Sequence, residues 1–358
     1  MAKFSCPTTV ITGENALQAL RELKAERVMV VTDSYFSGNG TAKRVGNMIP
    51  NAEVLVFDDV TPDPTVELAA AGAAACMRFR PQIIIALGGG SPMDCAKAIL
   101  ASVDEAPMLV AIPTTSGSGS EVTSFSILTK GKEKIPLVDV SMRPALAILD
   151  DSFLRELPPG LLADTGMDLI AHSLEAIAAK GRSAMTTALA ETALSTALQT
   201  LAASYSGDLT MRRGLHEAAC MAGIAFDNAG LGICHAMAHA MGAQLHLPHG
   251  RLCAMLLPHV LAVNLPAAEA QYRHAAAGCG LAAHTGSLAV RSLSSAIVRL
   301  RTQMNMPANL REAGVSCSLI REKQLQIVET ALSDACCGSN PVPVSREMVL
   351  ELLRKVAG

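Results

Sequence analysis

The first 150 residues alternate short runs of branched apolar residues with segments whose apolar positions recur at helical spacing. Each strand-like run ends in turn residues; these runs lie at 26–34, 52–60, 81–91 and 108–115, with helix-like segments at 66–80 and 91–103. Strands that alternate with helices form parallel sheets, because parallel neighbours need a long crossover connection. The alternation therefore predicts an α/β domain whose ligands lie at the carboxyl ends of the strands.

The rest of the chain has a different pattern. Residues 134–154 are predicted to be extended, and beyond Leu157 the strand signal disappears. Segments rich in Ala and Leu then follow helical spacing, at 162–180, 186–205 and 274–285. We therefore predict an α/β nucleotide-binding domain over residues 1–155, followed by an all-α domain over residues 156–358.

Composition and charge exclude several classes of protein. A net charge of −3 without a basic run argues against nucleic acid or an anionic membrane as a partner. Ten cysteines without a CxxC pair indicate free thiols in a cytoplasmic protein rather than a disulfide framework. No acidic or basic residue lies between Asp227 and Arg251, but the four histidines, Asn, Gln and Pro of that stretch do not suit a membrane span.

The segment GGGSPMDCAK (88–97) follows a strand and opens a helix. Glycines let the backbone approach a ligand closely, and the free N–H groups of a helix N-terminus suit a pyrophosphate. Ser91 is the predicted N-cap, Pro92 suits the first turn, and Asp94 stands at the capping-box position. The alternative is a tight turn that binds nothing.

A second polar loop, PTTSGSGSEVTS (113–124), also follows a strand. It could donate many hydrogen bonds to phosphate or ribose, or it could be a solvated loop. Two such loops at the carboxyl ends of strands favour nucleotide binding. Asp33, which ends the first predicted strand, could accept hydrogen bonds from a ribose diol and so favour NAD over NADP, but a turn-forming Asp is an equal alternative.

Histidines and one aspartate form a candidate metal site. Asp168 and His172 are four residues apart, and so are His235 and His239, which places each pair on one helix face. Pro248 should end the helix before His249. One carboxylate with two or three imidazoles suits Fe(II) or Zn(II), and no sulfur ligand is in view. The alternatives are an Asp that caps the helix and histidines without a metal, and spacing does not rank the imidazoles.

Together these motifs resemble the iron-containing (group III) alcohol dehydrogenase family. The matching segments run in the family's order along essentially the whole chain: TPDPT (61–65), GGGSPMDCAK (88–97), IPTTSGSGSEVT (112–123), TGMDLIAHSLEA (165–176), GLGICHAMAHAMGAQLHLPHG (230–250) and SNP (339–341). The resemblance implies a dehydroquinate synthase-like fold, with an α/β domain and a helical metal-binding domain. It is strongest to the 1-propanol dehydrogenases of propanediol- and ethanolamine-utilisation microcompartments.

The resemblance also assigns roles to residues. The metal ligands that it implies are Asp168, His172, His235 and His249, and His239 falls beside the nicotinamide and substrate. It assigns NAD(H) binding to Asp33, Gly89, Gly90, Ser91, Asp94, Thr114 and Thr115. Lys97 and Lys134 fit the pattern without an assigned role. Arg251 departs from it, since a small apolar residue usually follows the glycine of the PHG motif.

The implied activity is a metal-dependent, NAD(H)-linked interconversion of short-chain alcohols and aldehydes, such as propanal with 1-propanol or acetaldehyde with ethanol. The metal would be Fe(II) or Zn(II). A homodimer or larger homo-oligomer is expected, in the cytoplasm or inside a bacterial microcompartment, with an aldehyde dehydrogenase or shell protein as partner. The alternatives are a zinc-dependent glycerol or polyol dehydrogenase, a metal-dependent hydrolase that uses no nucleotide, and a non-catalytic docking protein.

Overall fold

A computed structural model describes residues 3–131 and 133–358, which form two compact units. The first unit is Cys6–Glu156, and the second comprises Leu157–Gly358 together with residues 3–5. The first is built on a sheet and the second consists of helices, so the predicted fold class is confirmed.

The sheet of the first unit has six parallel strands in the order β1-β8-β5-β4-β2-β3. Its strands are β1 (Thr9–Gly13), β2 (Arg27–Asp33), β3 (Glu53–Val60), β4 (Ile83–Gly88), β5 (Met108–Pro113) and β8 (Leu146–Asp150). The helices are α1 (Ser34–Gly38), α2 (Thr41–Gly46), α3 (Val66–Phe79) and α4 (Gly90–Ala101). All four strands predicted from the β-branched runs are present, as are both predicted helices.

The strand β4 shows why the sheet is covered on both faces. Its residues Ile83, Ile85 and Leu87 pack in one apolar cluster, whereas Ile84 and Ala86 pack in another on the opposite face. Successive side chains of a strand point to opposite faces, so an uninterrupted apolar run is what a doubly covered parallel strand requires. Its last residue, Gly88, is paired with Pro113 of β5, which brings the two predicted ligand loops to one edge of the sheet.

The segment 134–154 is extended only in part. An antiparallel ribbon pairs β6 (Phe125–Lys130) with β7 (Glu133–Val138), a short 3₁₀ turn follows at Val140–Met142, and β8 then enters the main sheet. The strand β6 was not predicted. Its residues FSILTK do not alternate strictly between apolar and polar, since Ile127 and Leu128 are adjacent, and a polar loop precedes it.

The second unit is helical, with α5 (Pro159–Ala178), α6 (Ala184–Tyr205), α7 (Arg212–Ala229), α8 (Ile233–Leu245), α9 (His249–Gly278), α10 (Gly286–Gln303), α11 (Cys317–Ser333), α12 (Cys336–Ser339) and α13 (Arg346–Ala357). The prediction of a helix over 274–285 was wrong at its end, because α9 stops at Gly278 and turns. The cap alternative for Asp168 is also wrong, since α5 begins nine residues earlier, at Pro159. All ten cysteines are free, as predicted.

One helix of the described residues, α9, is long and apolar enough to span a membrane by length and composition alone. It contains Pro258 and Pro266 and is kinked at Ala268. In its most apolar window, 56% of the residues are buried inside the fold, which is the pattern of a core helix in a globular protein.

Candidate metal and nucleotide sites

Three helices of the second unit bring the predicted metal ligands together. Asp168 and His172 lie on one face of α5, with His172 Nε2 3.9 Å from Asp168 Oδ1. His235, near the start of α8, places its Nε2 3.5 Å from the same oxygen, and His249, the first residue of α9, places its Nε2 at 3.4 Å. Ligands about 2.0–2.1 Å from one ion at tetrahedral angles are about 3.3–3.4 Å apart, so these spacings are close to those of a metal site.

The turn between α8 and α9 sets the position of His249. The helix α8 ends at Leu245, His246 adopts a left-handed conformation with φ 54°, and Pro248 precedes the first turn of α9. Pro cannot continue a helix but suits the residue next to a helix start. His246, exposed in this turn, belongs to the cap and lies outside the cluster.

A glycine allows α9 to approach α5 closely. A Cβ atom at Gly250 would lie 1.8 Å from the carbonyl oxygen of Asp164, so no other residue fits there without moving a helix. Beside it, Arg251 donates two hydrogen bonds to the Asp164 carboxylate, from Nε at 3.1 Å and Nη2 at 2.9 Å. Arg251, the residue that departs from the family pattern, therefore forms an ion pair with Asp164. The pair joins the two helices that carry Asp168 and His249.

The buried polar atoms of the cluster fit a cation. His235 is 1% exposed, and its Nε2 has no hydrogen-bond partner among the described residues. Burial opposes the ionisation of Asp168, but the imidazoles of His172 and His249 outweigh it and hold the pKa of this carboxyl well below its ordinary value. A buried carboxylate that faces an unsatisfied imidazole nitrogen is the environment that Fe(II) or Zn(II) would satisfy.

Glu175, which sequence reasoning missed, holds His235 in place. The ring Nδ1 of His235 lies 2.6 Å from Glu175 Oε2, and the carboxylate also accepts the backbone N–H groups of Gly232 (3.0 Å) and Cys234 (2.7 Å). Glu175 thus accepts the free backbone N–H groups at the N-terminus of α8, and it keeps the proton of His235 on Nδ1. Nε2 is then left as a lone-pair donor, the arrangement that outer carboxylates give to metal-binding imidazoles.

We expect Glu175→Gln to weaken metal binding about 10–100-fold, as the loss of an outer carboxylate usually does. The amide has no charge, and its NH₂ group cannot accept the N–H donors that now meet the carboxylate. Metal affinity is measured by competition with a chelator. The matched control is Glu191→Gln, since Glu191 pairs with the exposed His274 at 3.3 Å away from the cluster; an equal loss in both variants would contradict the assignment.

Asp334 is a second residue that the sequence patterns did not reveal. It precedes α12, and its Oδ2 lies 2.8 Å from His239 Nδ1, while its Oδ1 accepts the N–H of Cys336 at 2.8 Å. Burial raises the pKa of Asp334, but the hydrogen bond and charge of His239 outweigh this and lower it to about 2. The pair keeps a proton on Nδ1 and directs His239 Nε2 away from the carboxylate. In the sequence, the only indication of a role for Asp334 was that it lies close to the SNP motif.

A sulfur atom also lies at the cluster, contrary to the prediction that none is in view. Cys253 follows His249 by one turn of α9, and its Sγ is 3.5 Å from His249 Nε2 and 3.8 Å from Asp168 Oδ1. Free cysteines are common in apolar helices, so its position relative to the imidazoles could not be predicted from sequence.

In the first unit, the glycine-rich loop is shorter than predicted. The chain leaves β4 through Gly88, whose φ of 146° is accessible to glycine, and α4 begins at Gly90 with Gly89 as its N-cap. The prediction that Ser91 is the N-cap was wrong, because the helix starts one residue before it. Glycine has no side chain that could accept the first N–H groups of α4, and a phosphate could accept them instead.

The second loop lies against the first. Thr114 donates its N–H to Gly88 O at 3.0 Å, and a Cβ atom built on Gly89 would lie 3.3 Å from Thr115 Oγ1. Asp33 lies at the same edge of the sheet, at the end of β2, where its Oδ1 accepts the N–H groups of Tyr35 and Phe36. Asp33 therefore caps α1, in agreement with the alternative prediction of a turn-forming Asp. Its Oδ2 makes no hydrogen bond to Tyr35 or Phe36.

Beneath both loops lies a buried ammonium group. Lys97 is 0% exposed, and its Nζ donates to Ser120 Oγ (2.8 Å), Thr123 Oγ1 (2.9 Å) and the carbonyl of Phe125 (2.8 Å). Asp94 does not form a capping box; it accepts a hydrogen bond from Ser120 Oγ at 3.4 Å. Lys97 thus ties α4 to the segment that ends the second loop.

The buried Glu121 predicts a pH dependence of stability. Burial raises its pKa from 4.5 to about 7 in spite of the charge on Lys97, and burial raises the pKa of Asp94 to about 6. Between pH 4.5 and 7 the folded protein holds a proton on Glu121 that the unfolded chain has released, so stability falls as the pH rises through this window. We expect Glu121→Gln to flatten this fall in denaturant unfolding at pH 5, 6, 7 and 8, whereas the exposed Glu22→Gln should leave the slope unchanged.

A strand–glycine–helix turn in a parallel-sheet unit, with one carboxylate among three imidazoles in a helical unit, is the combination expected of a metal- and nucleotide-dependent oxidoreductase. The family "Iron-containing alcohol dehydrogenase" matches residues 7–151, and "Fe-containing alcohol dehydrogenase family, C-terminal" matches residues 162–357. The chain belongs to the iron-containing alcohol dehydrogenase family, as the motifs predicted, and is an oxidoreductase. Membership implies a metal ion and NAD(H).

Individual relatives match along almost the whole chain. The NADPH-dependent butanol dehydrogenase of Clostridium saccharobutylicum is 36% identical over 385 residues, covering 99% of this chain and 98% of that protein. The 1-propanol dehydrogenase PduQ of Salmonella typhimurium is 35% identical over 369 residues, covering 99% and 100%. The solved structure of an iron-containing alcohol dehydrogenase from Thermococcus thioreducens has a TM-score of 0.91 at 30% identity and covers 99% of both chains.

Proposed function

We propose that this protein reduces short-chain aliphatic aldehydes to primary alcohols with NADH, propanal and acetaldehyde being its substrates, and catalyses the reverse oxidation. The observation that carries the proposal is the convergence of three imidazole Nε2 atoms within 3.4–3.9 Å of Asp168 Oδ1. The names of the butanol and 1-propanol dehydrogenases that match the full chain support the same substrate class. The ligand set is Asp168, His172, His235 and His249.

The cofactors supply the chemistry, and the chain supplies position and a proton. Asp168, His172, His235 and His249 would hold Fe(II) or Zn(II), which would supply a Lewis acid for the substrate oxygen, and bound NAD(H) would supply or take up the hydride. His239 is proposed to donate a proton from Nε2 to the oxygen during aldehyde reduction and to accept it during alcohol oxidation. Asp334 holds Nδ1 protonated in both directions, so that only Nε2 exchanges its proton.

For the nucleotide, we propose that Gly89, Gly90, Ser91, Thr114 and Thr115 surround the diphosphate and nicotinamide ribose. The α4 N-terminus supports this, because its N-cap Gly89 makes no side-chain cap hydrogen bond and phosphates bind readily at helix N-termini. Asp94 is proposed to position Ser120 and the second loop, in accordance with its hydrogen bond. The Asp33 carboxylate favours NADH by repelling a 2′-phosphate, although one matching relative is named as NADPH-dependent.

We further propose that the protein acts in the cytoplasm or inside a microcompartment, as a homodimer or larger homo-oligomer. Its aldehyde would come from an aldehyde dehydrogenase acting in the reductive direction. The resemblance to 1-propanol dehydrogenases supports this setting.

The test is an NADH-oxidation assay with acetaldehyde, propanal and butanal, using protein purified anaerobically and assayed for metal. Turnover with propanal or acetaldehyde is expected, with NADPH less effective than NADH. Negligible turnover with both aldehydes would overturn the substrate assignment. Zinc-dependent oxidation of glycerol would instead favour a polyol dehydrogenase, and absence of NAD binding in calorimetry would favour a hydrolase.

The role of His239 and Asp334 is tested with variants. We expect His239→Ala and Asp334→Asn to retain the metal but to lower kcat by about 10²–10⁴-fold, the usual contribution of a positioned proton donor. His249→Ala, by contrast, should lose the metal, because His249 Nε2 lies 3.4 Å from Asp168 Oδ1. Equal metal loss in the His239 and His249 variants would refute the division of roles.

A further inference from the structure

Asn340, the central residue of the SNP motif, is a buried amide to which the proposed function gives no role. It is 0% exposed and directly follows α12, with an extended backbone at φ −59° and ψ 136°. Pro341 favours this conformation, because a proline disfavours the helical region for the residue before it. The motif therefore ends α12 and holds the Asn340 side chain in one place.

The amide of Asn340 uses its full hydrogen-bonding capacity. Its Oδ1 accepts the backbone N–H of Ile233 at 3.2 Å and Nδ2 of Asn264 at 3.0 Å. Its Nδ2 donates to Asn264 Oδ1 at 2.9 Å and to the carbonyl of Val342 at 2.8 Å. Since a primary amide accepts through its oxygen and donates only through its nitrogen, one orientation alone satisfies these partners. Asn340 thus joins the start of α8 to Asn264 on α9.

The helix α8 depends on distant side chains for its cap. Its N-cap residue, Gly232, has no side chain, and a Cβ atom there would lie 2.7 Å from both Asn340 Oδ1 and Glu175 Oε1. These two side chains accept three consecutive N–H groups: Glu175 accepts those of Gly232 and Cys234, and Asn340 accepts that of Ile233. A local Ser, Thr, Asn or Asp usually does this, but the crowding at Gly232 excludes one here.

Ser339, the first residue of the motif, contacts the turn that leads into α8. Its Oγ donates to the carbonyl of Leu231 at 2.7 Å, and its own carbonyl accepts the N–H of Lys180, just after α5, at 2.9 Å. A Cβ atom at Gly230, whose φ is 86°, would lie 2.5 Å from both Cβ and Oγ of Ser339. The motif is therefore packed directly on the turn between α7 and α8.

We infer that Asn340 is a positioning residue for the metal centre, which fixes the first turn of α8 and through it the imidazole of His235. His235 is the third residue of α8, so a shift of this turn would move its Nε2 relative to Asp168 Oδ1, 3.5 Å away. Through Asn264, the same amide ties this turn to α9, the helix that begins at His249. The inference rests on the metal centre of the proposed function and adds to it a residue that contacts none of the ligands' ring or carboxylate atoms directly.

Cobalt titration tests whether Asn340 positions the ligands. Metal-free protein is titrated with Co(II) in competition with a chelator, while the visible d–d bands, whose energies and intensities depend on ligand geometry, are recorded. We expect Asn340→Ala to alter these bands and to lower Co(II) affinity about 10–100-fold, the usual effect of removing an outer hydrogen-bond partner of a metal site. Asn264→Ala leaves the acceptor of the Ile233 N–H in place, so it should alter the bands in the same direction with a smaller loss of affinity.

The matched control is Asn228→Ala. The Asn228 amide also makes three hydrogen bonds, with the N–H and carbonyl of Ser5 and the carbonyl of Ile224, and these partners lie outside the first turn of α8. This variant should unfold at lower denaturant concentration than the native chain but keep the native Co(II) affinity and d–d bands. An amide with a merely structural role would behave in this way.

Hydrogen exchange of the metal-free native chain tests the cap without any substitution. The first N–H groups of a helix usually exchange readily, because no residue within the helix accepts them. The N–H of Ile233 should instead be protected, since Asn340 accepts it. Those of Gly160 and Leu161, at the exposed start of α5, which has no side-chain cap, should exchange quickly and serve as the internal comparison.

The outcomes separate this inference from the proposed function. Native Co(II) affinity and bands in Asn340→Ala, or an equal loss in Asn228→Ala, would overturn the role of Asn340 while leaving the metal centre in place. Rapid exchange at Ile233 would also overturn it. Should Asn340→Ala not fold, native bands in Asn264→Ala would decide against the inference and altered bands would support it. Failure of the native chain to bind Co(II) would overturn the metal centre and this inference with it.

Discussion

Asp168→Asn is expected to lower metal affinity more than about 100-fold. This loss exceeds the usual effect of removing a residue that only hydrogen-bonds to a metal ligand. Oδ1 of Asp168 is the atom that all three imidazole nitrogens approach, at 3.4, 3.5 and 3.9 Å, and Asn removes its charge at almost constant size. Aldehyde reduction should fall by about 10³-fold, because a Lewis acid contributes several kcal/mol to the stabilisation of developing charge. Metal content by mass spectrometry and NADH oxidation are the two measurements.

The control for Asp168→Asn is Asp164→Asn, one turn earlier on the same helix. Asp164 is bound by Arg251 and points to α9 outside the imidazole cluster. This variant should keep its metal and lose only part of the ion pair between α5 and α9. If the Asp168 variant retains one equivalent of tightly bound metal, the proposed centre is wrong.

Lys97→Met is expected to lower the free energy of unfolding by about 3–5 kcal/mol, the usual cost of removing one partner from a buried charged network. The substitution leaves Ser120, Thr123 and the Phe125 carbonyl without their shared donor, next to the buried Glu121 and the half-buried Asp94. Because the same contacts hold the second loop, NADH affinity should fall as well. Denaturant unfolding and calorimetric titration measure the two effects.

Lys134→Met provides the comparison for Lys97→Met. Lys134 pairs with Asp63, whose side chain is 67% exposed while that of Lys134 is 16% exposed, and a pair open to solvent on one side contributes about 0–1 kcal/mol. Its effect on unfolding should stay within that range. Similar losses in the two variants would show that burial of Lys97 is not the source of its contribution.

Local patterns were sufficient for most of the fold. The apolar run of β4 followed by glycine predicted a covered strand and a helix start, and the spacing of Asp168 and His172 placed them on one face of α5. Errors arose where a local rule had competitors: Ser91 is a favourable N-cap, but the positive φ at Gly88 lets α4 start earlier, with Gly89 as its cap. The strand β6 was missed because its pairing with β7, and not its own composition, makes it a strand.

The sequence by itself determined the α/β-then-helical order, the family, and the residues from which a metal site could be built. Only the tertiary structure revealed Glu175 beside His235, Asp334 beside His239, and Cys253 among the imidazoles. These partners are 60 residues apart for Glu175 and His235 and 95 apart for His239 and Asp334, and helical spacing limits a residue to a face of its own helix. Which face meets which depends on how α5, α8, α9 and the Asp334 segment pack, and packing contacts between distant helices leave no periodic signal in the chain.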